Sequence, residues 1–173
     1  MRDLWNREID YIRISVTDRC NLRCVYCMPE EGIESISHDR ILTFDEIARI
    51  CRVMAQSGLK KIKLTGGEPL IRRGIVSLVR QLKEVPGIEQ VTLTTNGILL
   101  EEMADDLVSS GIDAVTVSLD TLDRERFRQM TRRDELPRVL EGIRAMRRHP
   151  QIPLKINWLL QEPGQDLLGV AAL

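Results

Sequence analysis

Several features that would indicate a secreted, membrane or nucleic-acid-binding protein are scarce or missing in this sequence. Its 25 basic and 26 acidic residues leave a net charge of −1, so no excess of charge indicates a nucleic acid or an anionic membrane as partner. Apolar runs are too short to span a bilayer, and the charged first ten residues lack the apolar segment of a secretory signal. Four cysteines in such a charged chain indicate a cytosolic metal or redox site rather than a disulfide framework. We therefore expect a cytoplasmic protein whose 173 residues form one domain.

Three of the four cysteines, Cys20, Cys24 and Cys27, fall within eight residues. Thiolates are preferred ligands of iron–sulfur clusters and of zinc. On a four-iron cluster, three cysteines leave one iron open to bind a small molecule, and an open coordination position is typical of a catalytic metal site. The alternative is a zinc site with His38 or Cys51 as the fourth ligand. We expect Cys51 to be a buried small hydrophobe instead, since its neighbours are apolar at helical spacing.

Strand and helix patterns alternate along the chain. Period-two alternation predicts five strands, at Tyr11–Val16, Lys61–Thr65, Gln90–Thr95, Ala114–Leu119 and Pro153–Leu160. Helical spacing of apolar residues follows each of the first four, beginning with a capping box at Thr43 and Glu46. A Pro-Gly turn after Gln161 precedes an apolar run that we expect to be helical. These βα units predict an α/β fold with a parallel sheet and right-handed crossovers.

Each predicted strand has one apolar and one polar face. The polar faces carry Arg13 and Ser15, Lys63 and Thr65, Thr92 and Thr94, Thr116 and Ser118, and Lys155 and Asn157. A closed eight-stranded barrel has an apolar interior, and polar or cationic groups are costly there unless a polar ligand is bound. We expect Arg13, Lys63 and Lys155 to converge on an anion. The alternative is an open sheet with one hydrated face, which is uncommon for parallel strands.

The cysteine loop, with Tyr26 directly before its last cysteine, resembles that of the radical S-adenosylmethionine (SAM) superfamily. The segment Gly66-Gly67-Glu68-Pro69 resembles the superfamily motif that binds the amino group of methionine. Four stretches are similar to the GTP 3′,8-cyclase family of molybdenum cofactor biosynthesis: Arg13–Cys20, Leu64–Pro69, Thr94–Gly97 and Val117–Asp120. This resemblance covers nearly the whole chain from Arg7 onward.

The resemblance implies a partial (βα) barrel of radical SAM type and a function in molybdopterin biosynthesis. A [4Fe–4S] cluster binds SAM and cleaves it to a 5′-deoxyadenosyl radical, which takes a hydrogen atom from GTP; an electron-donor protein supplies the electron. The implied metal ligands are Cys20, Cys24 and Cys27. The implied SAM-binding residues are Tyr26, Gly67 and Ser118. The implied GTP-binding residues are Arg13, Lys63, Thr94 and Lys155. Arg72 and Arg73 are further candidates for phosphate contacts, or simply a solvated helix start.

The cyclase family also carries a second cluster on three further cysteines in a C-terminal segment, and this sequence has no cysteine after Cys51. We therefore expect residues 1–173 to form a radical SAM core with five strands of six, and complete GTP cyclisation to need more than these residues. A second chain or a second copy is one way to complete the barrel. One alternative is another radical SAM enzyme, acting on a peptide or a tetrapyrrole, which gives the three inward cations no role. Another is a non-catalytic metal-binding module.

Overall fold

The computed structural model describes residues 2–34, 36–37, 40–159 and 169. Apart from Gly169, the turn and apolar run predicted after Gln161 lie outside the described residues, and so does His38, the proposed fourth ligand of a zinc site. No helix within the described part of the chain is long and apolar enough to cross a membrane.

Strands and helices alternate as the sequence predicts. The strands are β1 Tyr11–Ser15, β2 Lys61–Thr65, β3 Gln90–Thr95, β4 Ala114–Ser118 and β5 Leu154–Asn157. The helices are α1 Phe44–Gln56, α2 Ile75–Lys83, α3 Leu100–Ser109, α4 Arg124–Thr131 and α5 Leu136–Arg147, with a 3₁₀ turn at Pro69–Ile71. The predicted capping box opens α1, where the Thr43 hydroxyl accepts from the Glu46 amide and the Glu46 carboxylate accepts from the Thr43 amide.

The strand β5 is shorter than predicted. It ends at Asn157 because the next two residues form hydrogen bonds with Asp120, which follows β4. The Trp158 indole N–H donates to the Asp120 carbonyl oxygen, and the Leu159 amide donates to the Asp120 carboxylate at 2.9 Å. The chain therefore leaves the sheet at the level of the loop that follows β4.

All neighbouring strands are parallel, and their order in the sheet is the order in the sequence. This order is that of a βα barrel rather than of a doubly wound sheet, in which the strand order reverses. Within the described residues the sheet is open, with β1 and β5 at its edges. The predicted partial barrel is confirmed.

The helices cover one face of this sheet and bury its apolar side chains. The strand residues of this core are Ile62, Leu64, Val91, Leu93, Val115 and Val117. The helices contribute the fully buried side chains Ile75, Leu78, Leu82, Leu100, Leu107 and Val139. Because burying a large aliphatic side chain contributes about 1.5–3 kcal/mol, this packing fixes which face of each strand is covered. The polar faces of the strands are left for another role.

A close contact brings α5 against the loop between β3 and α3 and against the first residue of α3. A Cβ atom added to Gly142 would lie 2.5 Å from the Gly97 carbonyl oxygen and 2.9 Å from the Leu100 Cβ. Real Cβ atoms do not approach backbone so closely, so only glycine allows α5 to pack at this distance. This contact supports the loop that carries Asn96.

We predict that Gly142→Ala destabilises the protein by about 1–3 kcal/mol, because the added methyl group overpacks this contact. Helix propensity alone predicts that this substitution stabilises the protein, since alanine is favoured over glycine inside a helix by about 1 kcal/mol. Denaturant unfolding of both proteins measures the difference. Glu141→Ala, at the exposed neighbouring position, is the control, with an expected change within about 0.5 kcal/mol. A more stable Gly142→Ala variant would contradict the packing described here.

Candidate active site

The conspicuous polar segments of the sequence lie at one edge of the sheet. The cysteine loop follows β1, Gly66–Pro69 follows β2, Asn96–Gly97 follows β3 and Asp120 follows β4. Because parallel strands end at the same edge, these segments meet at the carboxyl ends of the strands, where βα-barrel enzymes carry their active sites.

The cysteine loop turns back on itself between its second and third cysteines. The Cys24 carbonyl oxygen accepts hydrogen bonds from the amides of Cys27 and Met28, both at 2.9 Å. Burial raises the pKa of the Cys20 thiol. Burial, together with charge on Cys20 and Cys27, raises the pKa of Cys24 to about 11. Three neighbouring thiolates are therefore costly unless a bound metal compensates their charge. This donor set fits an iron–sulfur cluster, which binds thiolates.

The fourth cysteine lies apart from this loop. Cys51 is in α1 and is fully buried in the hydrophobic core, as predicted, and burial raises its pKa to about 11. Among the residues that the structure describes, no three His, Cys, Asp or Glu side chains are arranged around a single metal ion. In a four-iron cluster each cysteine binds a different iron, so the three sulfur atoms do not need to converge on one ion.

Two glycines bring the loop after β2 onto the backbone that leads to Cys20. The Gly67 amide donates to the Thr17 carbonyl oxygen and the Glu68 amide donates to the Arg19 carbonyl oxygen, both at 2.8 Å. A Cβ atom on Gly67 would lie 2.1 Å from the Arg19 oxygen, and one on Gly66, whose φ is +143°, would lie 2.5 Å from the Thr17 oxygen. Both positions therefore require glycine for packing between the two loops, whatever ligand binds beside them.

Glu68 connects the loops that follow β2 and β3. Its side chain is 1% exposed and accepts hydrogen bonds from the Leu70 amide at 3.0 Å, the Thr95 hydroxyl at 2.7 Å and the Asn96 amide at 2.7 Å. Burial raises the pKa of this carboxyl, and the three hydrogen bonds oppose the shift. The sequence places Glu68 in a recognised motif, but it does not indicate this internal role.

Asn96 connects the same region to the first cysteine. Its side-chain amide donates to the Asn21 oxygen at 2.7 Å and faces the Cys20 sulfur at 3.9 Å, while its own oxygen accepts from the Ile98 amide at 3.1 Å. Hydrogen bonds to a cluster thiolate tune the reduction potential of the cluster. Sequence reasoning did not single out Asn96, although its position after β3 at the active edge was a usable signal.

Tyr26 reaches across the open edge to the loop after β4. Its hydroxyl donates to the Asp120 carboxylate at 2.5 Å, and both burial and this carboxylate raise the pKa of the phenol. Ser118, two residues before Asp120, is exposed at the end of β4. The structure thus brings Tyr26 and Ser118, two of the predicted SAM-binding residues, to the edge that carries the cysteine loop, and the third, Gly67, lies beside that loop.

The polar face of the sheet carries three positive charges that are not compensated by any described residue. Arg13 lies opposite Lys63 in the β1–β2 register, and Lys155 is on β5. None of these three cations has a hydrogen bond or an ion pair with another described residue. Burial lowers the pKa of Lys63, and the charges of Arg13 and Lys155 lower it further, so both of these cations lie close enough to act on Lys63. The Thr94 hydroxyl oxygen is buried on the same face and has no hydrogen-bond partner in the described part of the chain.

The Arg72 guanidinium, by contrast, is fully engaged inside the protein. It donates to the carbonyl oxygens of Val16 at 2.7 Å and Leu42 at 2.6 Å, and it stacks 4.2 Å above the Phe44 ring. It therefore holds the end of β1 against α1, and this geometry does not favour the phosphate contact considered from the sequence. Arg73 is exposed.

Relatives of known function are similar over most of this chain. A GTP 3′,8-cyclase of Pelotomaculum thermopropionicum is 50% identical over 160 residues, which are 92% of this chain and 49% of the relative. A GTP 3′,8-cyclase of Moorella thermoacetica is 48% identical over 166 residues, covering 96% of this chain and 51% of the relative. The chain thus spans about half the length of the curated relatives it matches.

The chain is also similar in fold to a solved structure and matches a protein-family model. The crystal structure of Streptococcus suis SuiB bound to S-adenosylmethionine superposes with a TM-score of 0.77 at 22% identity, covering 94% of this chain and 37% of SuiB. At that identity the likeness concerns the fold alone. The Radical SAM superfamily model matches residues 14–160, which include the end of β1, the cysteine loop and the whole of β2 to β5. The chain therefore belongs to the radical SAM superfamily, whose members use a [4Fe–4S] cluster and S-adenosylmethionine.

Proposed function

We propose that this chain is the catalytic core of a GTP 3′,8-cyclase, a radical SAM lyase of molybdenum cofactor biosynthesis. The observation that carries the proposal is a set of cations on the polar face of the sheet that have no ion pair with any described residue, Arg13, Lys63 and Lys155. Identity of 48–50% to two enzymes named GTP 3′,8-cyclase supports the same assignment.

In this proposal Cys20, Cys24 and Cys27 would hold the cluster, which leaves its fourth iron without a ligand from these cysteines. The SAM-binding residues are Tyr26, Gly67 and Ser118. When bound, the cluster and SAM together supply the one-electron chemistry that the side chains cannot provide. The chain itself orients these groups: Asp120 fixes the Tyr26 ring by a hydrogen bond, and Gly67 lets the loop after β2 lie directly against the cysteine loop.

The substrate site in this proposal is the polar face itself. A triphosphate carries the negative charge that Arg13, Lys63 and Lys155 lack among the described residues, and its binding would relieve their mutual repulsion. The buried Thr94 hydroxyl gains a partner when a polar ligand covers it. An uncharged substrate, such as a peptide without acidic groups, would leave these charges without a counter-charge.

The proposed function also requires a second cluster, a completed barrel and an electron donor. The relatives are about twice as long as this chain, and we propose that the segment beyond the matched half carries the second cluster that anchors the guanine base. The edge strands β1 and β5 are the places where a further segment, a second chain or a second copy would complete the barrel. An electron-donor protein is the other proposed partner, and the free thiols favour a reducing cytoplasm.

We predict that iron binding depends on the three loop cysteines and is independent of Cys51. Each cysteine is replaced singly by alanine, and iron per chain is measured after anaerobic reconstitution with iron and sulfide. Cys24→Ala should lose most of the cluster, because each loop thiolate binds its own iron, whereas Cys51→Ala should retain it. Iron that is lost with Cys51→Ala and kept with Cys24→Ala would overturn the assignment.

We predict that GTP stabilises the reconstituted chain and that Lys63→Met removes much of this effect. At a free GTP concentration of 100 times Kd, the folded state is stabilised by about 2.7 kcal/mol, which raises Tm by roughly 5–10 °C for a domain of this size. Lys63→Met keeps the aliphatic stem. It should not lower Tm without ligand, because Lys63 has no anionic partner among the residues that the structure describes. Thermal unfolding with and without GTP provides both measurements.

The matched control is Lys61→Met, two residues earlier on β2 and on the same face. Lys61 is paired with the Asp10 carboxylate at 2.9 Å, so its charge is already compensated. This variant should keep the GTP-dependent rise in Tm. If SAM raises Tm and no triphosphate does, the cyclase assignment is wrong and another radical SAM activity replaces it.

We also predict that triphosphate binding is accompanied by proton uptake at alkaline pH. The pKa of Lys63 is lowered in the folded chain from 10.5, so Lys63 loses its proton below that pH. A bound anion favours the charged form and raises this pKa, and affinity therefore falls as pH rises through the lowered value. Calorimetric titration in two buffers of different ionisation enthalpy measures the uptake. Binding that is equally tight across this range would contradict the role given to Lys63.

A further inference from the structure

One guanidinium closes the part of the cysteine loop that carries Cys24 and Cys27. A single nitrogen of Arg132 donates to the carbonyl oxygens of Arg23 and Met28, both at 3.1 Å. These two carbonyls flank the two cysteines on either side. The Arg132 side chain is 29% exposed, and its ion pair with Glu30 is long, at 4.0 Å, so the loop carbonyls are its main partners.

The end of α4, the helix that precedes Arg132, accepts hydrogen bonds from backbone amides of the same loop. The Arg23 amide donates to the Thr131 carbonyl oxygen at 3.0 Å, and the Val25 amide donates to the Met130 carbonyl oxygen at 2.8 Å. Carbonyls at a helix C-terminus have no partner within the helix. The end of α4 therefore offers acceptors for the loop amides, while Arg132 offers donors for the loop carbonyls.

The backbone at Arg132 adopts a conformation that is unfavourable for a residue with a side chain. Its φ is 55° and its ψ is 24°, in the left-handed region that normally selects glycine. The Thr131 hydroxyl holds this turn by donating to the Phe127 carbonyl oxygen at 2.8 Å or to that of Arg133 at 3.0 Å. Because a glycine would adopt this backbone more easily, an arginine here is explained by its side chain.

We propose that Arg132 is a positioning residue for the cluster. It acts through the backbone of residues 23–28, holding Cys24 and Cys27 at the spacing that a [4Fe–4S] cluster needs before any metal is bound. Such preorganisation lowers the conformational cost of binding the cluster. The proposal requires the [4Fe–4S] cluster of the radical SAM superfamily, but it does not depend on GTP as the substrate.

The test compares Arg132→Gly with Arg133→Gly in the 173-residue chain. Both variants remove one positive charge, and Arg133 is exposed and makes its side-chain hydrogen bond to the Arg132 carbonyl oxygen rather than to the loop. Arg132→Gly should keep or raise the Tm of the iron-free chain, because glycine relieves the left-handed backbone. It should nevertheless lower cluster affinity by about 10- to 100-fold, the usual loss when a group that orients a metal ligand is removed.

Amide hydrogen exchange in the iron-free chain gives a readout independent of the cluster. Arg132→Gly should speed exchange at Arg23 and Val25, while Arg133→Gly should leave exchange and iron content unchanged. Normal exchange and normal iron content in Arg132→Gly would overturn the proposal. A lower Tm of iron-free Arg132→Gly together with its loss of iron would also overturn the proposal, because Arg132 would then contribute to general stability.

Discussion

Burial of one face of the parallel sheet is the constraint on which the other features depend. The side chains of Ile62, Leu64, Val91 and Val115 must face the helices, and this requirement fixes the direction of every alternate residue along the strands. Arg13, Lys63 and Lys155 are consequently turned to the opposite face. The same parallel arrangement brings the four polar loops to one edge, so a single packing rule creates both the cationic face and the cysteine site.

The cysteine loop is ordered by protein contacts from several sides. The loop after β2 packs on Thr17 and Arg19, Asn96 contacts Asn21 and faces Cys20, and the end of α4 binds Arg23 and Val25. Most of these contacts use backbone atoms, which have fixed geometry and no side-chain entropy to lose. The loop therefore has a defined shape into which cluster and SAM can bind, as catalytic sites that depend on preorganisation require.

Local patterns in the sequence predicted the parts of the structure that local physics determines. Alternation at Arg13–Ser15 and Lys61–Thr65 predicted the strands and the direction of their cations, and Thr43 with Glu46 predicted the start of α1. The resemblance to radical SAM enzymes came from contiguous motifs. The early end of β5 was not predictable, because it follows from hydrogen bonds to Asp120, which is 38 residues away from Trp158.

Pairings between distant residues account for what the sequence did not reveal in the site. Arg132 is 109 residues from Arg23, and no periodicity or spacing connects them. Gly67 was expected from the resemblance to bind SAM, and the structure adds a packing contact with Arg19 that the sequence could not indicate.

The central claim is that the cationic face, which carries Arg13, Lys63 and Lys155, binds a triphosphate. The most direct test is calorimetric titration of GTP into the cluster-loaded chain at low and high salt. The account predicts one site whose affinity falls as salt rises, and an absence of GTP binding in a chain that still binds SAM would contradict it.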